Sequence, residues 1–314
     1  MVAVEPGRPD VSVVIPARDA ERSLGRTLEA IARQEYDGEI EVVVVDNGSH
    51  DGTAALAESH GVRVLRRERG AGPGAARNDG AAAASASVLA FTDSDCEPTT
   101  GWLAAAIEQL RQADIVLGPV APAGPHGPLD RSVWIGAQSG LFETANLVVR
   151  RAVFERAGGF PGGLEGPEGA PFGEDVLFGW TAVRGGARVV YCPNALVLHE
   201  VQPRGARAFL AERRRLSLFP RLTRQVPELR RAFLHRRVFL NRRTARVDLA
   251  GAGLLAGLAL RRPWPLLALA PYALLVCRDA RSGGRRGAAV RVVGDGVTAV
   301  ALMRGSVTAR TMVL

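Results

Sequence analysis

The stretch SVLAFTDSDCEP, residues 87–98, places an apolar run of strand-forming residues directly before three acidic residues. The run at 87–92 has the length and composition of a buried β-strand. Asp93 and Asp95 follow it two positions apart, and Glu97 comes next. Ligands of open parallel sheets bind beyond the carboxyl ends of the strands. The stretch therefore predicts an acidic binding site at the rim of such a sheet.

The neighbouring segments predict an α/β fold. Short runs rich in β-branched residues alternate with helix-like stretches, which favours a mostly parallel sheet with helices on both faces. The strand-like runs are residues 11–17, 41–46, 62–66 and 87–92, and the helix-like stretches include 20–33 and 51–60. The Gly-Gly pairs at 158–159 and 185–186 suit helix ends. The stretch ARVVYCPNALVLHE, residues 187–200, is predicted to be the last strand of this region.

The charge of the chain is uneven. The 314 residues carry a formal net charge of +8, and the 40 basic residues are all arginine, since the sequence contains no lysine. Residues 204–246 hold fourteen arginines against two glutamates. Such a stretch is expected to face phosphates or an anionic surface, although a solvated helical face is the alternative.

Two apolar segments follow, VDLAGAGLLAGLAL at 247–260 and WPLLALAPYALLV at 264–276. Each is shorter than the roughly 20 residues of a membrane-spanning helix. They predict a re-entrant or interfacial hairpin, or two short tilted helices, with a buried helical pair as the alternative. The expected division is therefore a catalytic domain at 1–203, an arginine-rich helical segment at 204–246, and an apolar hairpin with a C-terminal tail at 247–314.

Three features argue against other classes of protein. The scattered Cys96, Cys192 and Cys277 have neither zinc-ligand spacing nor the pairing of a disulfide framework, which favours a reducing compartment. The start MVAVEPGRPD lacks the pattern of a signal peptide. The glycines at 70, 72 and 74 match G-x-G-x-x-A only weakly, because they follow the third strand and no ribose-binding acid comes after them.

Several acidic and basic residues could carry chemistry. Asp93 and Asp95 can both turn toward a divalent cation whose shell is completed by phosphate oxygens and water, although a surface turn is the alternative. Asp46 follows a strand, so it is either a turn former or an acceptor for a ring N–H of a nucleotide base. Arg77, at a helix start, can hold a base carbonyl or a diphosphate, or be only a charge on the helix face.

Six segments, in order, resemble the family 2 glycosyltransferases of the GT-A fold. They are VSVVIPARDAERSLGRTLEAI, EVVVVDNGSHDGT, GPGAARNDGA, VLAFTDSDCEP, TANLVVRRAVFERAGGF and GEDVLFGWTAVRGG. The likeness extends from residue 11 to about residue 200. The tail MRGSVTARTMVL also resembles the ends of membrane-associated bacterial members.

The resemblance implies how a donor would bind. Asp93 and Asp95 would be the D-x-D pair that binds the diphosphate of a UDP- or GDP-sugar through Mg²⁺ or Mn²⁺, with Asp95 as the direct ligand. Asp46 would bind the base, and Arg77 would support the base or the diphosphate.

The resemblance also implies the catalytic base. Asp175 would take the proton of the attacking hydroxyl, as an inverting transfer requires. Glu174 and Asp175 precede a helix, so helix capping is the alternative. His199 would be a further metal ligand, with a plain strand-end histidine as the alternative. Trp180 is interpreted mainly as a packing residue.

The expected function is a metal-dependent inverting transfer at the cytoplasmic face of a membrane, to a hydroxyl acceptor that is lipid-linked or part of an envelope glycan. Processive members carry a Gln-Arg-Trp motif where this chain reads AERRRLSLFP, which favours a single transfer. A nucleotidyltransferase is one alternative, but an obvious lysine partner is lacking. A non-catalytic nucleotide-sugar binder is another, but it would need D-x-D or Asp175 to be lost. No nucleic acid partner is expected.

Overall fold

The computed structural model describes residues 9–68, 72–165 and 171–314. Gly70 and the first eight residues, which enter the sequence interpretation above, lie outside the described residues. The chain forms two compact units, one from residues 1–124 and 132–201 and one from 125–131 and 202–314. The short segment 125–131 thus groups with the second unit, whereas the sequence places it in the catalytic domain. The functional division of the chain stays a prediction.

The first unit is built on two sheets. The strands are β1 Val11–Ala17, β2 Ile40–Asp46, β3 Arg63–Arg66, β4 Val88–Phe91, β5 Cys96–Pro98, β6 Ile115–Leu117, β7 Val120–Pro122, β8 Leu147–Arg150, β9 Val189–Tyr191 and β10 Val197–His199. Seven strands form a sheet in the order β3-β2-β1-β4-β8-β6-β9, in which β8 runs antiparallel to both neighbours. The smaller sheet has the order β5-β10-β7. The predicted α/β class with a mostly parallel sheet is confirmed.

Helices flank the larger sheet. They are α1 Leu24–Ala32, α2 Thr53–Ser59, α3 Pro73–Ala83, α4 Trp102–Gln109, α5 Arg151–Arg156 and α6 Glu174–Arg184. Because both sheet faces are covered, β1 is buried along almost its whole length rather than on alternate residues. Val13 and Ile15 pack into one core cluster, and Val14 packs into a second. The helices α5 and α6 end just before the two Gly-Gly pairs, as predicted.

The predicted last strand is wrong as a single element. Residues 187–200 form β9 in the larger sheet and β10 in the smaller one. Between them the chain turns, and the Ala195 N–H donates to the Cys192 carbonyl at 3.2 Å. Pro193 and Asn194 lie in this turn, and both residue types favour turns. The β-branched residues on both sides therefore belong to two strands.

Asn146 connects the two sheets by hydrogen bonds. Its side chain is 2% exposed and accepts from Trp102 Nε1 at 2.8 Å. Its amide donates to the Pro119 carbonyl at 2.9 Å and to the Ala195 carbonyl at 2.7 Å. Every polar atom of the side chain is thus used in a buried place.

We expect Asn146→Leu to lower the free energy of unfolding by about 2–4 kcal/mol, because three buried groups lose their partners at once. Thermal and urea unfolding measure the change. The exposed Asn194 of the nearby turn provides the control, and Asn194→Leu should change stability by less than about 0.5 kcal/mol. Equal losses in the two variants would contradict the assignment.

The second unit is helical. Its helices are α7 Ala206–Arg214, α8 Phe219–Gln225, α9 Leu229–Ala232, α10 Arg242–Leu260 and α11 Ala270–Ala309, with 3-10 turns at Arg215–Leu218 and Trp264–Leu269. The chain reverses at Arg261, whose φ of 50° is left-handed. The 3-10 turn Trp264–Leu269 packs on α10 at Gly253, where a Cβ would lie 2.7 Å from the Pro265 carbonyl oxygen. The helix α11 is kinked at Gly284.

The predicted short apolar helices are therefore parts of longer elements, the first within α10 and the second running from the 3-10 turn into α11. Among the described residues, no helix is both long enough and apolar enough to cross a membrane.

Polar side chains stabilise the contact between α10 and α11. Arg243 forms a two-fold ion pair with Asp295 at 2.6 and 2.7 Å, and a further one with Asp279 at 2.7 Å. Arg291 also pairs with Asp279, at 2.9 Å. Both aspartates are buried and both pair with Arg243, so removing Arg243 would break ion pairs to two buried charges at once.

Candidate active site

Four possible metal ligands meet just beyond the carboxyl end of β4. Asp93, Asp95, Cys96 and His199 each offer one ligand atom, and these atoms all lie within 4.8 Å of one another. Burial raises the pKa of the Cys96 thiol well above its usual value, and the charges of Asp93 and Asp95 add to this effect. A neutral thiol is a poor ligand for a hard cation. Two carboxylates and one imidazole are therefore the donors that suit Mg²⁺ or Mn²⁺.

The hydrogen bond of His199 orients its ring for such a role. Nδ1 lies 2.8 Å from the Glu200 carbonyl oxygen, which can only accept, so Nδ1 carries the proton. In the neutral ring Nε2 then has a free lone pair, and it lies 3.6 Å from Asp95 Oδ1. This is the usual arrangement of a metal-binding histidine, with its second nitrogen held by an acceptor.

His199 reaches this place through the smaller sheet. In the antiparallel pair of β5 and β10, His199 lies opposite Cys96. The chain just after β10 is fixed too, because the Glu200 N–H donates to the Asp95 carbonyl at 2.8 Å. Arg26 of α1 pairs with both Glu97 and Glu200, at 3.1 and 2.7 Å. The turn after β4 is thus held in place from both sides.

Arg77 lies against the acidic cluster. It belongs to the first turns of α3, is 5% exposed, and donates from Nη2 to Asp93 Oδ1 at 2.5 Å. Its Nε has no partner among the described protein atoms, and its guanidinium lies 6.0 Å from the centre of the Phe160 ring. The predicted role at a base or diphosphate is untested, and in this structure Arg77 neutralises Asp93.

Asp46 lies at the end of β2, in the wall of an open cavity of about 550 Å³. Its Oδ1 accepts from the Ser49 N–H at 3.0 Å, as a turn former would. The other cavity residues are Arg18, Gly48, Ser49, His50, Arg66, Arg67 and Glu68. Asp46 is therefore both a turn former and a cavity residue, and the volume falls within the usual range of ligand pockets.

Asp175 lies in the first turn of α6, after Gly173, whose φ of 75° is left-handed. Burial raises the pKa of Asp175 to about 8, and the adjacent Glu174 charge adds to the effect, whereas Arg77 opposes it. Asp175 Oδ1 accepts from the N–H of Val176 at 2.8 Å. Arg77 is thus within electrostatic reach of Asp175 while it contacts Asp93. A carboxylate with a pKa raised toward neutrality is suited to proton transfer.

Residues 12–162 match the family model described as glycosyl transferase family 2. Glycosyltransferase AglE of Haloferax volcanii is 30% identical over 218 residues, which cover 63% of this chain and 69% of that protein. The chain belongs to glycosyl transferase family 2. A pre-mycofactocin glycosyltransferase of Mycobacterium tuberculosis is 31% identical over 221 residues, and the match spans only 43% of that longer protein.

Solved structures show the same fold for this family 2 glycosyltransferase. Mannosyltransferase PcManGT from Pyrobaculum calidifontis, solved in complex with GDP-Man and Mn²⁺, is similar with a TM-score of 0.58 and 21% identity. The likeness covers 96% of this chain and 87% of that one. TarS of S. aureus, solved with UDP-GlcNAc, gives a TM-score of 0.50 at 21% identity, over 67% of this chain and 66% of that one.

The sequence pattern did not indicate three features of this glycosyltransferase. Cys96 belongs to the cluster of possible ligands, and its position directly after Asp95 in the sequence could have indicated this. Arg66 and Arg67 line the cavity of Asp46 because β3 runs parallel to β2 with Arg66 opposite Asp46. The charge of Glu143 raises the pKa of Asp175, and nothing in the local sequence of Glu143 indicates this interaction.

Proposed function

We propose that this glycosyltransferase moves one sugar from a nucleotide-diphospho-sugar to a hydroxyl acceptor, with inversion at the anomeric carbon and with help from a divalent cation. The observation that carries the proposal is the cluster of Asp93, Asp95 and His199, whose ligand atoms lie within 4.8 Å of one another. Such a cluster at a strand end suits a cation that accompanies a diphosphate.

The donor would bind along the rim formed by β2, β3 and β4. The cavity of Asp46 would take the nucleotide base, and the Asp46 carboxylate can accept a hydrogen bond from a ring N–H of that base. Arg66 and Arg67, in the same cavity, supply positive charge that suits phosphate oxygens. The bound GDP-Man and UDP-GlcNAc of the two similar structures support a GDP- or UDP-sugar.

Asp93, Asp95 and His199 would hold Mg²⁺ or Mn²⁺. When bound, the cation would supply positive charge to the departing diphosphate. Arg77 would hold the Asp93 carboxylate in place through their ion pair. His199 would contribute Nε2, because Nδ1 is occupied by the Glu200 carbonyl.

Asp175 would be the general base. It would take the proton from the acceptor hydroxyl as that oxygen attacks the anomeric carbon, while the bond to the diphosphate breaks on the opposite face. Asp175 must be ionised to do so, and Arg77 favours the ionised form. Glu174, next to it, is buried to 8% exposure and is less accessible to an acceptor.

The test is to incubate the protein with a panel of UDP- and GDP-sugars, with and without Mn²⁺, and to measure nucleoside diphosphate release. Cation-dependent release with one class of donor is expected. Release of pyrophosphate from nucleoside triphosphates would favour the nucleotidyltransferase instead. Donor binding without any release would favour the non-catalytic binder. The stereochemistry of the product tests the inversion separately.

We also propose that the second unit binds an anionic membrane surface, which would suit a lipid-linked acceptor and the cytoplasmic face of a cell membrane. The turn between α10 and α11 exposes an apolar tip, formed by Leu255, Leu258 and Leu267 at 68%, 78% and 76% exposure, together with Trp264 at 64%. Exposed leucines beside a tryptophan are typical of segments that lie in the membrane interface. The arginines of 204–246 would add attraction to anionic headgroups.

We expect Leu255→Ser, Leu258→Ser and Leu267→Ser, combined in the full chain, to reduce binding to phosphatidylcholine–phosphatidylglycerol vesicles at least about 100-fold, since each buried leucine contributes ~1.5–3 kcal/mol. Vesicle flotation measures this at low and high salt.

The matched control replaces three exposed valines of α11, Val292, Val293 and Val300, by serine. If both triple variants float like the unchanged chain, or lose binding equally, the apolar tip is not the anchor. The decrease in binding to vesicles of phosphatidylcholine alone, or at high salt, would measure how much the arginines contribute to membrane affinity.

A further inference from the structure

Cys96 and His199 form a cross-strand pair beside the acidic cluster. Cys96 of β5 lies opposite His199 of β10, and the two strands run antiparallel. Residues directly opposite in such a pair project from the same face of the sheet, with their Cβ atoms about 4.5–5.5 Å apart. Both residues are buried, at 0% and 4% exposure. A sulfur atom and an imidazole nitrogen therefore reach one shielded place from two neighbouring strands.

Two carboxylates complete a set of four ligands. Asp93 and Asp95 lie between β4 and β5, where the Cys96 N–H donates to the Asp93 carbonyl at 3.2 Å. The ligand atoms of the four residues lie within 4.8 Å of one another. Around a tetrahedral Zn²⁺ such atoms lie about 3.3–3.8 Å apart, so they need to approach by at most about 1.5 Å. The backbone is thus already arranged for a site with four protein ligands.

The complete ligand set suits a softer cation than Mg²⁺ or Mn²⁺. Thiolate and imidazole are preferred ligands of Zn²⁺, whereas the harder cations take oxygen ligands. As Zn²⁺ binds, the S–H bond of Cys96 breaks, the Zn–S bond forms, and the proton leaves to solvent. The spacing of the cysteines in the sequence does not predict such a site, because its imidazole ligand comes from a distant strand.

The charges of the cluster distinguish the two kinds of cation. Arg77 pairs with Asp93 and contributes one positive charge. With Zn²⁺ bound, the two carboxylates and the thiolate balance the charges of Arg77 and the cation, so the site is neutral. With Mg²⁺ or Mn²⁺ beside a protonated thiol, the site keeps one net positive charge, which attracts a diphosphate. Four protein ligands also leave a tetrahedral Zn²⁺ without a position for a phosphate oxygen.

We propose that Cys96, His199, Asp93 and Asp95 form a closed Zn²⁺ site, and that Zn²⁺ bound there inhibits the enzyme by excluding the diphosphate of the donor. The metal site stands on its four ligands and does not depend on the reaction. Only the inhibition rests on the proposed function. Cys96 is thus the residue that makes this glycosyltransferase sensitive to thiophilic cations.

The experiment first uses Co²⁺ in place of Zn²⁺, because a thiolate bound to Co²⁺ gives a charge-transfer band in the near ultraviolet. The unchanged chain should show this band, and Cys96→Ser should lose it. The sequence holds three cysteines, so Cys192→Ser combined with Cys277→Ser leaves Cys96 as the only thiol, and this double variant should keep the band. Competition with a chromogenic chelator then measures the ratio of Zn²⁺ affinity to Mn²⁺ affinity. The ratio should fall at least about 100-fold in Cys96→Ser and stay within about twofold in the control Cys277→Ser, whose cysteine is exposed.

Inhibition is measured by titrating the chain with UDP and GDP in Mn²⁺ and in Zn²⁺, and only Mn²⁺ should increase the affinity. Absence of the cobalt band from the unchanged chain or from the double variant, or its persistence in Cys96→Ser, overturns the metal site. The double variant decides this if Cys96→Ser does not fold. The cobalt band together with equal gains in affinity in Mn²⁺ and Zn²⁺ overturns the inhibition alone. A chain that releases no nucleoside diphosphate from any donor overturns the proposed function and the inhibition, while the cobalt band still decides the metal site.

Discussion

Asp175→Asn is expected to reduce turnover by about 10²–10⁴-fold while donor affinity stays within about twofold, because the amide keeps the shape of the carboxylate but cannot take a proton. Steady-state release of nucleoside diphosphate and titration with donor measure the two quantities. Glu174→Gln is the matched control, and it should retain most activity. Normal turnover in Asp175→Asn together with a loss in Glu174→Gln would move the base to Glu174.

The pH dependence provides a second signature of the same residue. The pKa of Asp175 is raised to about 8 in the free protein, so kcat/KM should rise as the pH increases toward that value. Asp175→Asn should lose this rise along with most of its activity. A rise that persists unchanged in the variant would assign it to another group.

The free energy of unfolding should fall with increasing pH, whereas kcat/KM should rise. The folded protein holds the Asp175 proton more tightly than the unfolded chain does, so its stability falls as the pH rises from about 4 to about 8. Asp175→Asn removes this loss and should raise the melting temperature more at pH 8 than at pH 5. A residue that lowers stability where it serves catalysis is a common compromise in active sites.

Much of the fold could be predicted because its strands are buried on both faces. The segments β1, β2 and β4 are rich in apolar residues, and β1 and β2 are each followed by a helix-like stretch, so local composition was sufficient. The split of residues 187–200 was not predictable in the same way. Both halves are strand-forming, and only pairing with distant strands decides that β9 joins β6 and β10 joins β5 and β7.

Some residues of the candidate site were likewise predictable from the local sequence, and others were not. Asp46, Asp93 and Asp95 follow strands directly, so the rule for parallel sheets placed them at one rim. His199 was placed there by resemblance, and the structure supplies the reason, which is its register opposite Cys96. The position of Glu143 depends on the left-handed backbone of Phe142 and on the contact between the Phe142 ring and Gly179. No periodicity in the sequence encodes either feature. Long-range packing, rather than local preference, positions these residues.

Asp95→Ala is expected to abolish the cation-dependent part of donor binding. Asp95 contributes a carboxylate 3.6 Å from Nε2 of His199, so its loss leaves a divalent cation with too few charged ligands at this cluster. Titration with UDP and GDP in EDTA and in Mn²⁺ measures the increment, which should fall at least about 100-fold, as expected when a charged ligand is removed. Binding in EDTA should stay within about twofold.

The companion variants distinguish the roles of the other ligands. Asp93→Ala should weaken the Mn²⁺-dependent increment severely and also release Arg77 from its ion pair, so binding in EDTA should change as well. His199→Ala should lower the increment with little change in EDTA, since neutral imidazole contributes no charge. Asp37→Ala, an exposed carboxylate distant in sequence from the cluster, is the control and should behave as the unchanged chain. If Asp95→Ala and Asp93→Ala both bind UDP and GDP normally in Mn²⁺, the cation site lies elsewhere in the protein.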